Sequence, residues 1–185
     1  MSYKKLFLLI ILFLCCNISS NCISYSETIQ IKKTEIKLTS TAFKDGEMIP
    51  EEYTCDDKNV SPPLSWTYVP NGTKSITIIC DDPDAPIGIW VHWVLYDLPF
   101  SIKELTENIP SLEKLQNGAK HGINDFHKFG YGGPCPPGGT HRYYFKIYAL
   151  DNETGLKPGA TKEQLLKVIK GHILAEGQLI GRYKR

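Results

Sequence analysis

The chain is short of net charge, of long apolar runs and of helix signals. Across 185 residues, 21 Lys+Arg face 20 Asp+Glu, so no surface-wide field draws it to nucleic acid or to an anionic membrane. Charged residues make up 22% and apolar residues 42%, which excludes a disordered tail or a coiled coil and leaves an ordinary core-forming domain. The longest apolar run, Leu6–Cys16, has eleven residues, whereas a membrane-spanning helix needs about 20. No internal repeat or low-complexity linker divides the chain. G-x-S-x-G, H-E-x-x-H and G-K-[ST] are missing too, so three common catalytic signatures are absent.

The apolar run that is present follows Lys4 and Lys5 and precedes the small residues Ser20, Ser24 and Ser26. That is the layout of a secretory signal peptide. Residues 1–26 are expected to be that leader and 27–185 a single domain, exported to a periplasm or secreted. Cys15, Cys16 and Cys22 fall inside the leader but lack the flanking residues of a lipidation signal, so an uncleaved or lipid anchor is the alternative. Removing the leader leaves 159 residues with a net charge of −1 and three cysteines, Cys55, Cys80 and Cys135. Cys80 ends an apolar, strand-like run, while Cys55 and Cys135 sit in turn-rich segments. A Cys55–Cys135 bridge is the expected pairing in an oxidising compartment.

Strand signals dominate the domain. Ile29–Ser40 partly alternates apolar and polar residues, and Leu64–Val69 follows the chain-breaking Pro62-Pro63. Asn71-Gly72 is a turn signal ahead of the β-branched run Ser75–Cys80. Trp90–Tyr96 is apolar on both faces, as a central strand would be. From His141 to Leu150, His141, Tyr143, Phe145, Ile147 and Ala149 share one face, with Arg142, Lys146 and two tyrosines on the other. Gln178–Tyr183 reads as a last strand. The spacing predicts a helix over 161–172, with Thr161 and Gln164 in capping-box register, and a short helix at Ser111–Gln116. Strands in succession with few helices predict a mainly β, two-sheet antiparallel sandwich.

Two segments depart from ordinary strand-and-turn sequence. One is Asp81-Asp82-Pro83-Asp84-Ala85-Pro86, leading to Trp90-Val91-His92-Trp93. The other is Gly130–Gly139, where eight of ten residues are Gly or Pro; such a loop can turn backbone N–H groups toward a ligand. It runs into His141 and Tyr143, which lie two apart in a strand and so share a face. Asp82 and Asp84 share a face as well if that stretch is extended. His92, inside an apolar strand, is by itself most simply a satisfied core histidine.

These stretches, DPDAP, then W-x-H-W, then GYGGPCPPxGTHRYxFxxYALD, resemble the phosphatidylethanolamine-binding protein family, also called Raf-kinase-inhibitor-like proteins, in its bacterial and archaeal branch. Tyr53-Thr54-Cys55, Ser61-Pro62-Pro63-Leu64, Asn124-Asp125-Phe126 and the closing Gly181-Arg182-Tyr183-Lys184-Arg185 extend the resemblance over roughly Leu38 to the end. It implies a two-sheet sandwich with a pocket for a small phosphate-like anion or phospholipid headgroup, and no cofactor, metal or nucleic acid. The pocket would use Asp82, His92, His141 and Tyr143, walled by the Gly132–Pro137 backbone with Gly132, Gly133 and Pro136. Asp84, Trp90 and Arg142 would support its loops and rim. His127 stands where the resemblance implies a small residue, so the adjoining loop is expected to differ. The last strand comes without the C-terminal helix that eukaryotic members carry, which implies a more open pocket.

Three readings therefore stand at the sequence level. One is a non-enzymatic anion-binding protein. A second is an inhibitor or regulator of a protein partner such as a protease or kinase. The third is a hydrolase, built either on Cys135 with His92 or His141, or on a metal held by Asp82, Asp84, His92 and His141.

Overall fold

The computed structural model describes residues 34–185, and the expected leader at 1–26 lies outside them. The strands are β1 (Thr34–Glu35), β2 (Leu38–Thr39), β3 (Leu64–Trp66), β4 (Ser75–Asp82), β5 (Trp90–Pro99), β6 (Glu104–Leu105), β7 (Lys120–His121), β8 (Thr140–Leu150) and β9 (Ile173–Lys184). A large sheet runs β1-β9-β8-β4-β5-β7 and a small one β2-β3-β6. Every pairing is antiparallel except β1 with β9. The two-sheet, mainly β architecture is thus the one the strand pattern predicts.

The patterning explains the layers. On β8, His141, Tyr143, Phe145, Ile147 and Ala149 are all buried while Arg142 is exposed. Phe145, Ile147, Ile76, Ile78 and Leu95 meet Leu38, Leu64, Trp66 and Leu105 of the small sheet in the main core. The opposite face of the large sheet carries Ile79, Val94, Tyr96 and Leu150, which pack with Leu165 and Ile169 of helix α1 (Lys162–Ile169). β4 is covered from both sides and so is buried along its whole length. Thr161 caps α1, with Thr161 and Gln164 exchanging hydrogen bonds as a capping box. No helix among the described residues is long and apolar enough to cross a membrane.

Two local expectations are corrected. Ser111–Gln116 is not helical. Lys114 instead bridges Lys120, and the Leu115 N–H donates to Ala119 across a turn in which Gly118 has φ +94°. Pairing with the segment that continues into β7 consumes the backbone groups a helix would have used. The alternating stretch ending at Ser40 also divides. Its described part forms β1 and β2, which belong to different sheets.

Candidate functional site

Antiparallel pairing brings the candidate residues together. β4 lies between β5 and β8 and runs against both, so its C-terminal end meets the N-terminal ends of its two neighbours. Asp82 therefore pairs with Trp90, and Asp81 with Tyr144. A cavity of about 260 Å³ opens there, lined by Asp82, Ala85, Pro86, Ile87, Trp90, His92, Phe126, Cys135, Pro136, Pro137, His141 and Tyr143. A larger hollow of about 670 Å³ lies beside β1 and β2, but it has no histidine and no unpartnered buried donor. Chemistry, not volume, singles out the smaller cavity.

His92 owes its position to a β-bulge. The β4–β5 register passes from Cys80–Trp93 directly to Asp81–Val91, leaving His92 as the extra residue. Its Nδ1 lies 2.6 Å from the Gly132 carbonyl. A carbonyl can only accept, so Nδ1 carries the hydrogen and Nε2 is left for the cavity. The ring is wedged edge-on between Phe126 and Tyr143, with centroids 5.3 and 5.1 Å away. Burial holds its acidity constant below the usual histidine value, against the pull of the Gly132 carbonyl and Asp82.

On β8, His141 Nδ1 donates to the buried Asp82 carboxylate at 2.7 Å, which fixes the ring and leaves its Nε2 as the free edge. The Tyr143 hydroxyl is buried and has no hydrogen-bond partner. Burial first, then the Asp82 charge, pushes this phenol far up, so it remains a donor. The Cys135 backbone amide opposes that shift without completing a hydrogen bond. Among the described residues six buried side-chain polar atoms lack a partner, and Tyr143 Oη alone belongs to a residue lining this cavity. A buried donor left unpaired costs about 1–3 kcal/mol, so its persistence points to a partner supplied from outside.

Asp82 and Asp84 do not share a face. The chain turns at Pro83-Asp84, and the Asp84 N–H donates back to Asp82 Oδ1 at 2.8 Å. Asp84 turns outward to Arg142, whose guanidinium holds both carboxylate oxygens at 2.8 and 2.7 Å. That hydrogen-bonded pair keeps the Asp84 carboxyl below its usual range. Asp84 and Arg142 thus clamp the DPDAP turn onto the start of β8, outside the cavity lining.

The glycine-rich loop is built the other way round from the sequence expectation. Its first N–H groups face inward: Gly132 donates to the His92 carbonyl at 2.9 Å and Gly133 to the Asn59 side chain at 2.7 Å. Gly132 and Gly133 do not line the cavity; Cys135, Pro136 and Pro137 do. Gly132 is needed for close approach, because a methyl there would meet the Phe126 ring at 2.6 Å. A disulfide joins Cys55 to Cys135 and ties the loop to the segment after the 3-10 turn Glu51–Tyr53. Cys80 is the one free cysteine among the described residues, buried at the end of β4's apolar run.

Phe126, like Ala85, Pro86 and Ile87, lines the cavity without having been singled out in the sequence as a site residue. Asn124 Oδ1 accepts from the N–H groups of Phe126 and Lys128, and Asp125 accepts from Val91 at 2.7 Å. Together they hold the Phe126 ring against Trp90 and His92. The Asn-Asp-Phe triplet was the available signal. His127 takes a left-handed conformation at φ +58° and is exposed, so the unexpected residue sits in a turn and off the cavity lining.

Neither hydrolase arrangement is assembled. The Cys135 sulfur is in the disulfide, and Asp84 is committed to Arg142 and does not line the cavity. Among the described residues no three His, Cys, Asp or Glu side chains form a metal-binding group. The site therefore offers a phenol donor, two oriented imidazole edges and one carboxylate, set in apolar walls.

Comparison with known proteins agrees with the sandwich fold. A family model described as phosphatidylethanolamine-binding protein matches residues 39–184. The protein named UPF0098 protein from Methanothermobacter thermautotrophicus is 50% identical over 150 residues, covering 81% of this chain and 99% of the relative. The one of that name from Aquifex aeolicus is 51% identical over 153 residues, covering 81% and 89%. A crystal structure of CT736 from Chlamydia trachomatis, titled a phosphatidylethanolamine-binding protein homologue, superposes with a TM-score of 0.76 at 40% identity, covering 83% of this chain and 99% of that one. Escherichia coli YbcL, titled a new member of the mammalian PEBP family, gives 0.75 at 31% identity, with 82% and 99% covered. From the sandwich, the cavity motifs and these matches together, the chain belongs to the phosphatidylethanolamine-binding protein family.

Proposed function

We propose that this chain is a non-enzymatic binding protein whose cavity holds a small phosphate-like or phospholipid-headgroup-like anion. The observation that carries the reading is the buried, unpartnered Tyr143 hydroxyl beside His92 and the Asp82-oriented His141. A donor in a low-dielectric pocket makes a stronger hydrogen bond to an anion than it would in water. With a whole-chain charge of +1, the anion is held by local donors and not by a global field. We place the protein outside the cytoplasm, on the support of the signal-like leader and of a disulfide that an oxidising compartment preserves.

Titration with inorganic phosphate or phosphorylethanolamine, followed by two-dimensional NMR, tests the reading. Saturable shifts are expected at His92, Phe126, His141 and Tyr143. Shifts confined to other parts of the surface, or none, would remove the anion pocket.

A protein-partner reading has one observation of its own. Ile87, which lines the cavity, and Ile89 are 81% and 58% exposed, on a loop clamped at both ends by Asp84–Arg142 and Asp125–Val91. The two readings separate on Tyr143→Phe, which alters the pocket and leaves that rim intact.

A further inference from the structure

The hydrogen bonding inside the cavity sets a condition on the ligand that anion binding alone does not. His92 Nδ1 is spent as a donor on the Gly132 carbonyl at 2.6 Å, so the ring has no choice of tautomer. His92 is only 2% exposed and lies between two aromatic ring edges, surroundings that favour the neutral imidazole. A neutral imidazole with hydrogen on Nδ1 offers a lone pair at Nε2. The same cavity has a donor in Tyr143 Oη, which no protein group satisfies. The two residues line one cavity with their rings edge-on and centroids 5.1 Å apart, so an acceptor and a donor serve the same ligand.

We infer that the cavity selects a ligand that accepts a hydrogen bond from Tyr143 and donates one to His92 Nε2, so that His92 acts as a specificity residue for hydrogen-bearing anions. The inference rests on the anion-pocket reading. An oxyanion stripped of hydrogen would set an oxygen lone pair against the lone pair of Nε2, and that acceptor would go unpaired once the ligand displaces water. Sites built to pair with a substrate hydrogen reject analogues that lack it more sharply than size or shape can. The hydrogen can sit on the oxyanion itself, as in inorganic phosphate, or on an ammonium attached to it.

Protonation of His92 gives the selectivity a pH signature. The carboxylates facing His92 are Asp82 on β4 and Asp125 ahead of Phe126, and the other titratable groups lining the cavity with it are His141 and Tyr143 on β8. Burial outweighs the pull of the two carboxylates, so the ring is neutral well above the ordinary histidine value of 6.5 and stays so somewhat below it. As pH falls through that depressed range, His92 gains a hydrogen on Nε2 and changes from acceptor to donor. A hydrogen-free anion then becomes acceptable. Its affinity should rise by up to about tenfold per unit of pH lost, until His92 is protonated in the free protein.

Calorimetric titration of the wild-type protein compares inorganic phosphate with sulfate, which are alike in size and charge at about pH 8 but differ in retaining a hydrogen. His141 Nδ1 is likewise spent, on Asp82, so the same ratio is taken for His141→Ala, where the preference should persist. A parallel pair, phosphorylethanolamine against phosphorylcholine, differs in having an N–H to donate and so identifies a hydrogen carried on the ammonium. A preference of roughly 10–100-fold in either pair near pH 8, with the affinity for sulfate itself rising as the solution is acidified, is the expected result. Sulfate within about threefold of phosphate, together with phosphorylcholine within about threefold of phosphorylethanolamine, would overturn the inference while leaving the anion pocket standing. Failure of all four to bind would remove the pocket and the inference with it. Nitrogen-15 spectra of the His92 ring near pH 8 give a readout independent of binding. The expected state is hydrogen on Nδ1 and none on Nε2, and a hydrogen on Nε2 at that pH would overturn it.

Discussion

Replacing both Cys55 and Cys135 by Ala is expected to destabilise the domain by about 2–5 kcal/mol and to weaken phosphate binding in what still folds. The two cysteines are 80 residues apart in sequence. Cutting the link frees a long loop in the unfolded chain, and the cost grows with the logarithm of loop length. The effect on the site has a separate cause. Cys135, Pro136 and Pro137 form one wall of the cavity, whereas the glycines ahead of them are held by Gly132 to His92 and Gly133 to Asn59. Past Gly133 the other ties are the Cys55 N–H to the Pro134 carbonyl at 3.0 Å, the Arg185 guanidinium to the Cys135 sulfur at 3.6 Å and the Gly139–Arg185 backbone pair at 3.2 and 3.3 Å. The disulfide therefore anchors the part of the loop that faces the ligand. Chemical denaturation of wild-type and double-variant protein, each followed by phosphate titration, reads both effects. A midpoint unchanged by the double substitution would show that the bridge contributes nothing to the folded domain.

Tyr143→Phe should move stability and binding in opposite directions. The wild-type hydroxyl is buried without a partner, so the free protein carries its desolvation cost. Phe keeps the ring and its edge contact to His92 at 5.1 Å while deleting that oxygen. The variant is expected to gain about 1 kcal/mol of stability in the absence of ligand. It should also lose roughly 10–100-fold in phosphate affinity, the range spanned by a hydrogen bond to a charged group. A purely structural tyrosine would lose stability or be unchanged. A variant that binds phosphate as well as wild type would remove Tyr143 from the site.

The sandwich was legible where strands are long enough to show a period. His141–Ala149 alternates over nine residues, and that one pattern fixes which face of β8 meets the core and which side chains meet the cavity. β4 is buried along its whole length because both its faces are covered, and its β-branched residues, not an alternation, marked it as a strand. The small sheet was nearly invisible, since β2, β3 and β6 have only two or three residues each, too few for alternation to register. Ser111–Gln116 has a plausible helical composition but lies where β7 needs a partner, and tertiary pairing overrides so weak a preference.

Within the site, the family resemblance implied that Asp82, His92, His141 and Tyr143 belong to one pocket, and antiparallel pairing of three strands does bring them around one cavity. Spacing could not show the bulge that turns His92 into the cavity. That feature is a mismatch in count between two strands and has no local signature. Nor could it reveal that the glycine loop spends its first N–H groups inward, or that Asp84 leaves its neighbour Asp82 for Arg142. Those outcomes depend on partners, Asn59 and Arg142, that lie 74 and 58 residues away in sequence.

The most direct measurement is a crystal structure of the protein grown with inorganic phosphate. The expected result is one phosphate in the cavity among Tyr143, His141 and His92, with an oxygen within hydrogen-bonding distance of Tyr143 Oη. A cavity holding only water at saturating phosphate, or phosphate bound solely at surface lysines, would contradict it.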